Sequence, residues 1–363
     1  VSCGRHGLNL VNGTSNIIAH SSFSLNAQSG VFASETADVP RTNRLLACEV
    51  TGAVAAPQID WTNSGSLIAD CLVSGVGGAS SGIRVNGGSR VEVARCFVDT
   101  VSVNGIRLNG NLCSAVDNTV RDSGQTASDT SIYVAGDDCR VVGNHVIDGN
   151  GNGIEVAGSA DRTWIAANQV YSPGLSGIVV GGDPTDIVGN QIYQAARHGI
   201  FLNTVTECVV HGNAIRDSNT SAGAYSDIKP EGCGRCKITD NFCRNPGGAP
   251  RVQHAIHVGS NGVPTTSTNI MVADTDCEQG SIGGNNGGAI QVDAGSTALP
   301  SPGTARMVDV DAYLGTDAND SLPAPTGANQ LNLDRHLVTM TDPGILVAAR
   351  VVSSVGTAGS GAT

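Results

Sequence analysis

From Gly153 to Leu202 the chain reads GIEVAGSADRTWIAANQVYSPGLSGIVVGGDPTDIVGNQIYQAARHGIFL. A tetrad of small residue, Ile, variable residue and Val or Leu occurs three times in it: GIEV from Gly153, GIVV from Gly177 and GIFL from Gly199. The unit extends both ways, to GIRV from Gly82, GIRL from Gly105 and SIYV from Ser131, then DIKP from Asp227, AIHV from Ala255 and AIQV from Ala289. Its isoleucines are Ile83, Ile106, Ile132, Ile154, Ile178, Ile200, Ile228, Ile256 and Ile290, most of them 22 to 28 residues apart. An internal period of this size means a stacked repeat.

Two further columns keep the same beat. Asn precedes a variable residue and an apolar one at Asn118, Asn144, Asn168, Asn190, Asn213 and Asn241. Five residues earlier stand Cys113, Cys139, Thr163, Thr185, Cys208 and Cys236. Short alternating apolar runs in three phased columns predict several short strands per coil, and no helical period competes with them. Each coil then lies on the one before at about 4.8 Å, with Ile and Val/Leu inward. Asn is expected to stack at a bend, where its amide bonds between coils. The thiols are expected to be buried and stacked on successive coils.

Composition narrows the function. Net charge is −12, which argues against general nucleic-acid binding. No apolar run approaches the roughly 18 residues of a membrane span, and Ile345 to Val352 contains Arg350. The 11 Cys are an odd number without the spacing of a stapled domain, and Cys233 and Cys236 form a CxxC with no partner pair. No metal site or cofactor is read from these spacings; calcium is the one ion left open. Gly4 to Leu10 already reads like the inside of a repeat, so the chain is expected to be part of a longer or processed product.

The GI-x-V and GN-x-I phasing over residues 1–295 resembles the right-handed parallel β-helix superfamily, the pectate-lyase-like proteins. The resemblance implies an all-β solenoid. It also implies a polysaccharide partner, since the superfamily holds polysaccharide lyases, glycoside hydrolases, alginate epimerases, inulin fructotransferases and phage tailspikes. The Asp-Asp and Gly-His-Gly blocks of polygalacturonases are absent, and Asp183-Pro184 and Asp342-Pro343 lack the His of the epimerases' Asp-Pro-His. Residues 296–363 break the beat and are expected to form a cap or an oligomerisation tail, with apolar runs at Met307–Leu314 and Ile345–Val352. Such tails imply a homo-oligomer, a trimer for a tailspike, and a secreted or virion-tail setting.

Alternation predicts which residues a ligand meets. The third tetrad position should face solvent: Arg84, Arg107, Tyr133, Glu155, Val179, Phe201, Lys229, His257, Gln291. A neighbouring stripe lies two residues before each Ile and includes Thr130, Asn152, Ser176, His198 and His254. Three short coils would make a floor at Glu155, Val179 and Phe201, with longer loops at 122–131, 218–227 and 244–255 as walls. Tyr133 and Phe201 offer flat faces for sugar stacking, and His257 and Glu231 complete the binding set. Arg84 and Arg107 are read as a solvated pair or a subunit contact.

A cationic end gathers Arg197, His198, Tyr225, Lys229, Glu231, Arg251, His254 and His257, in a chain with two Lys. That field suits acidic sugars. A lyase acting by β-elimination needs a base, a group on the uronate carboxylate and a proton donor. Lys229, His198 or His254 is the expected base, Arg197 or Arg251 the carboxylate partner and Tyr225 the donor. A glycoside hydrolase or transferase would instead use Glu155 with a second carboxylate such as Asp129 or Asp148. A non-catalytic tailspike or adhesin that binds surface glycans is the third reading.

Overall fold

In the computed structural model the described residues run from 5 to 300, apart from 36–41, 54, 76–80, 125–128, 222, 224, 245–253, 260–266, 274, 278–289, 293–295 and 297. All their regular elements are strands, and these form three parallel sheets. Sheet A holds 12 strands, sheet B 12 and sheet C 11. The chain visits A, B and C in turn, so neighbours within a sheet are three strands apart in sequence. This is the right-handed parallel β-helix that the repeat predicts. The expected tail runs at Met307–Leu314 and Ile345–Val352 lie outside the described residues.

The tetrads are sheet A. Ile83 pairs with Ile106, Ile106 with Ile132, Ile132 with Ile154, Ile154 with Ile178, Ile178 with Ile200 and Ile200 with Ile228. These isoleucines are buried, and so are the inward residues of sheet B (Val93, Val141, Ile165, Ile187) and of sheet C (Val98, Val120, Val170, Ile192). The core is one narrow column of medium aliphatic side chains, which explains how 3 % aromatics suffices. The small first position of the tetrad has a steric cause. A Cβ on Gly153 would lie 2.5 Å from Cγ1 of Val170, and one on Gly177 2.5 Å from Cγ2 of Ile192. Where the chain enters sheet A it crosses the inward side chains of sheet C, and only a bare backbone fits so closely.

The bend from sheet B to sheet C carries the Asn column. Each Asn follows a residue with positive φ: Asp117, Gly143, Ala167, Gly189, Gly212 or Asp240. Each Asn Nδ2 donates to a carbonyl of the preceding coil, Asn168 to Val141 O at 2.8 Å, and from Asn118 to Asn213 also to Oδ1 of the next Asn, Asn168 to Asn190 at 2.9 Å. From Asn144 to Asn241 each Oδ1 also accepts the backbone N–H of the Asn below, as Asn190 does from Asn168. A turn backbone that no strand could satisfy is thus bonded by side chains.

Three coils nearer the N-terminus place cysteine in this column. Cys48, Cys71 and Cys96 follow Ala47, Asp70 and Arg95, all with positive φ. Their thiols point at Ile18, Leu45 and Ile68 carbonyls of the preceding coil. The backbone N–H of Cys96 donates to Asn118 Oδ1, the first amide of the column. Thiol and amide therefore occupy one role. Nine cysteines, Cys48 to Cys243, are buried and unbridged, as expected for stacked thiols.

Candidate functional site

The outward column of sheet A follows the expected order. Asp60 pairs with Arg84, Arg84 with Arg107, Arg107 with Tyr133, Tyr133 with Glu155, Glu155 with Val179, Val179 with Phe201 and Phe201 with Lys229. His257 pairs with Gln291 one coil beyond Lys229. Spatial neighbours are therefore read straight from the register, one rung of about 4.8 Å at a time.

The N-terminal end is closed on itself. Asp60, a position the tetrads do not reach, receives Arg84 through Nε–Oδ1 at 3.0 Å and Nη2–Oδ2 at 2.7 Å. Asp60 raises the Arg84 pKa through that bond. Arg84 is thus an ion-paired residue rather than the partner of Arg107. Arg107 donates to Asn109 Oδ1 and lies over the Tyr133 ring at 5.0 Å. One face of Tyr133 is consequently taken by a guanidinium, which a sugar would have to share or displace.

Glu155 stands alone in the middle of the column. Thr130 Oγ1 donates to its Oε2 at 2.7 Å, and Asn152 Nδ2 donates to the same oxygen at 2.8 Å. Both donors belong to the neighbouring stripe, so the sequence already carried this pair. No cation bonds Glu155 among the described residues. Glu155 is three rungs from Lys229, about 14 Å, so the two cannot act on one glycosidic bond. Asp148, offered as its hydrolytic partner, sits exposed at a turn with positive φ after the strand His145–Ile147 of sheet C, not beside it.

The cationic end differs from the expectation of a wet surface. Lys229 faces outward by register yet is fully buried, and His257, His198 and His254 are 3 %, 8 % and 7 % exposed. Alternation fixes the direction of a side chain but not what folds over it. Here the stripe residues His198 and His254 lie beside the column. Lys229 Nζ sits 3.0 Å from His257 Nδ1. The His254 and His257 rings meet edge to face at 5.3 Å. His198 stacks on Phe201 at 5.2 Å and meets the Tyr225 ring edge at 5.0 Å. Arg197 lies over Tyr225 at 5.7 Å. Phe201, like Tyr133, therefore has one face occupied.

Burial pushes the His198 pKa down to about 3, with the charges of Lys229, His257 and Arg197 adding to the effect against a raising contact from Ser226. The Ser226 N–H donates to His198 Nδ1 at 3.0 Å. The same Nδ1 lies 3.2 Å from the Ser226 carbonyl oxygen, so the Ser226 backbone offers this nitrogen both a donor and an acceptor. His198 is then an uncharged imidazole at neutral pH. Glu231 lies two residues along the strand from Lys229, on the same face and half-buried. Arg251 falls outside the described residues, as do parts of the three expected wall loops.

The described basic residues from Lys229 to Arg244 do not share one face. Arg235 pairs with Glu207 on the exposed corner between sheets A and B. Lys237 belongs to sheet B, and Arg244 lies over Phe242 on sheet C. The coil distributes residues close in sequence over three faces, leaving Lys229 on sheet A. Among the described residues no group of three or more His, Cys, Asp or Glu is arranged to hold a metal ion, and no helix is long and apolar enough to cross a membrane.

This architecture and outward column define a right-handed parallel β-helix, the fold of the pectate-lyase-like superfamily. Comparison with known proteins agrees. The family model described as periplasmic copper-binding protein (NosD) matches residues 89–262. The Azotobacter vinelandii mannuronan C-5 epimerase AlgE4 A-module is similar in structure, with TM-score 0.56 and 17 % identity over 80 % of this chain and 89 % of that one. The enzymatically active domain of bacteriophage CBA120 tailspike protein 2 gives TM-score 0.53 and 12 % identity over 79 % of this chain and 47 % of that one. No curated protein matches the sequence.

Proposed function

We propose that this β-helix binds an acidic polysaccharide along the outward column of sheet A and cleaves it by β-elimination at the cationic end. The observation that carries the reading is the buried Lys229–His257 contact at 3.0 Å beside a neutral His198. A buried amine and imidazole in contact can take a proton from carbon, because burial penalises the charged form of the base before it acts.

In the step we assign, the C5–H bond of a uronate breaks and its proton passes to the Lys229–His257 pair. The electron pair forms the C4–C5 double bond as the C4–O4 bond breaks. The leaving oxygen takes a proton from the Tyr225 hydroxyl. Arg197, held against Tyr225, is the described candidate for the sugar carboxylate. His254 packs on His257 and positions it. Phe201 supplies the apolar support under the sugar ring, and Glu231 an acceptor for its hydroxyls.

Inversion at C5 begins with the same proton transfer, and the similarity to a mannuronan C-5 epimerase favours it as the second reading. The two part at the product. The test is incubation with a panel of acidic polysaccharides in deuterated water. Elimination gives an unsaturated sugar with a new ultraviolet band. Epimerisation gives deuterium at C5 without that band. Neither signal on any uronate polymer overturns both enzymatic readings and leaves a glycan-binding β-helix of the tailspike or adhesin kind.

A further inference from the structure

The outward column of sheet A places a buried amine and a hydrogen-bonded carboxylate at a fixed separation. Lys229 stands at one end with its histidines, and Glu155 stands three rungs away, about 14 Å. Val179 and Phe201 between them carry no charge. A sugar ring is about as long as one rung, so a polymer lying along the column sets one unit near each position. Asp60, the other acidic residue of this column, is neutralised by Arg84. Among the described residues Glu155 instead bonds only neutral donors, Thr130 Oγ1 and Asn152 Nδ2, and both hold its Oε2. No described cation offsets it, and the two donors fix its carboxylate in place.

We infer that Glu155 is a specificity-determining residue that selects a heteropolysaccharide, with an acidic sugar at Lys229 and an uncharged sugar three units away. This rests on the reading of the column as a polysaccharide site. A homopolymer of uronates would set a carboxylate against Glu155 at every register, and like charges at contact distance repel even in water. A neutral sugar offers hydroxyl groups, which a fixed carboxylate accepts as hydrogen bonds. The pattern of charge along the column thus matches a polymer of mixed units and disfavours one of uniform charge.

The experiment measures binding rather than turnover. Wild type and Glu155→Gln are titrated with length-matched oligosaccharides of three kinds: all uronate, alternating uronate and neutral sugar, and all neutral. Wild type should bind the alternating set most tightly. Glu155→Gln, which keeps an acceptor oxygen for Thr130 and Asn152, should tighten binding of the all-uronate set about fivefold at low salt. It should not tighten the neutral set. Equal wild-type affinity for the first two sets overturns the inference. So does a Glu155→Gln variant that weakens all three alike, since Glu155 would then serve only as a hydroxyl acceptor. Binding with the expected preference but no unsaturated product supports this inference and overturns the lyase. No binding to any set overturns both.

Discussion

Two columns run the length of this β-helix and obey opposite rules. At the bend between sheets B and C, every coil from Asn118 to Asn241 repeats one residue and one set of bonds. On the outward face of sheet A, neighbouring rungs differ in kind: an ion pair at Asp60 and Arg84, a hydrogen-bonded carboxylate at Glu155, a buried amine at Lys229. Both sit on equally regular backbone. The difference teaches where selection acts. The bend must satisfy the same backbone groups in each coil, so its residue is dictated by the fold. The outward column has no structural duty in common, so its residues record what the surface meets.

The largest effect should come from breaking the outward column where the chemistry is placed. Lys229→Met removes the amine but keeps the volume. Elimination should fall by about 10²- to 10⁴-fold, the usual worth of an acid–base group. Stability should hold, because an apolar isostere of a buried charge is commonly tolerated. Thermal melting beside the ultraviolet assay checks both halves. Full turnover in this variant would remove the assigned site.

The bend should respond the other way. Asn168→Ala deletes bonds to Asn144, Val141 and Asn190 and leaves buried groups unsatisfied. A loss of roughly 2–4 kcal/mol is expected in urea unfolding. Specific activity of the folded fraction should be unchanged, since sheet A keeps its register. An intact stability would mean that water replaces the ladder without cost.

Much of this contrast was legible in the sequence, and the boundary has a physical form. Spacing alone gave the strand order, the inward isoleucines, the Asn ladder and the outward order from Arg84 to Gln291, because a repeat maps sequence distance onto rungs. It could not give burial on the outward face. Lys229 and His257 point outward, as alternation requires, yet are enclosed by neighbours from other coils. Nor could it tell which basic residues share a face: Lys237 and Arg244 follow Lys229 closely but leave it for sheets B and C. The thiols of Cys48, Cys71 and Cys96 were missed as ladder members because Cys and Asn look unrelated until their bonds are drawn.

His198 sharpens the outward column through pH. Its folded pKa, about 3, lies below the ordinary 6.5 of the unfolded chain. The unfolded state therefore binds the extra proton first. The stability from a neutral His198 is fully present above pH 6.5 and is lost as pH falls from there towards 3. His198→Gln, which can still accept the Ser226 N–H, should flatten that part of the curve of unfolding free energy against pH. An unchanged slope would mean that the ring is charged or solvated in the folded protein.

The smallest expected effect joins the two kinds of ladder residue. At Cys96 the sulfur gives its proton towards Ile68 O at 3.7 Å. Sulfur is a weak partner. Cys96→Asn would offer Oδ1 to the Cys71 N–H, and Nδ2 to Ile68 O and to Asn118 Oδ1, as Asn118 does to Val93 and Asn144. The two side chains are close in volume, so the core need not move. A gain of about 1 kcal/mol is expected, the net worth of a hydrogen bond strengthened in a buried place. Destabilisation would show instead that these coils hold the column too tightly for an amide. Thiols there would then be a requirement of packing, and the likeness of the two ladder segments would end at the direction of their bonds.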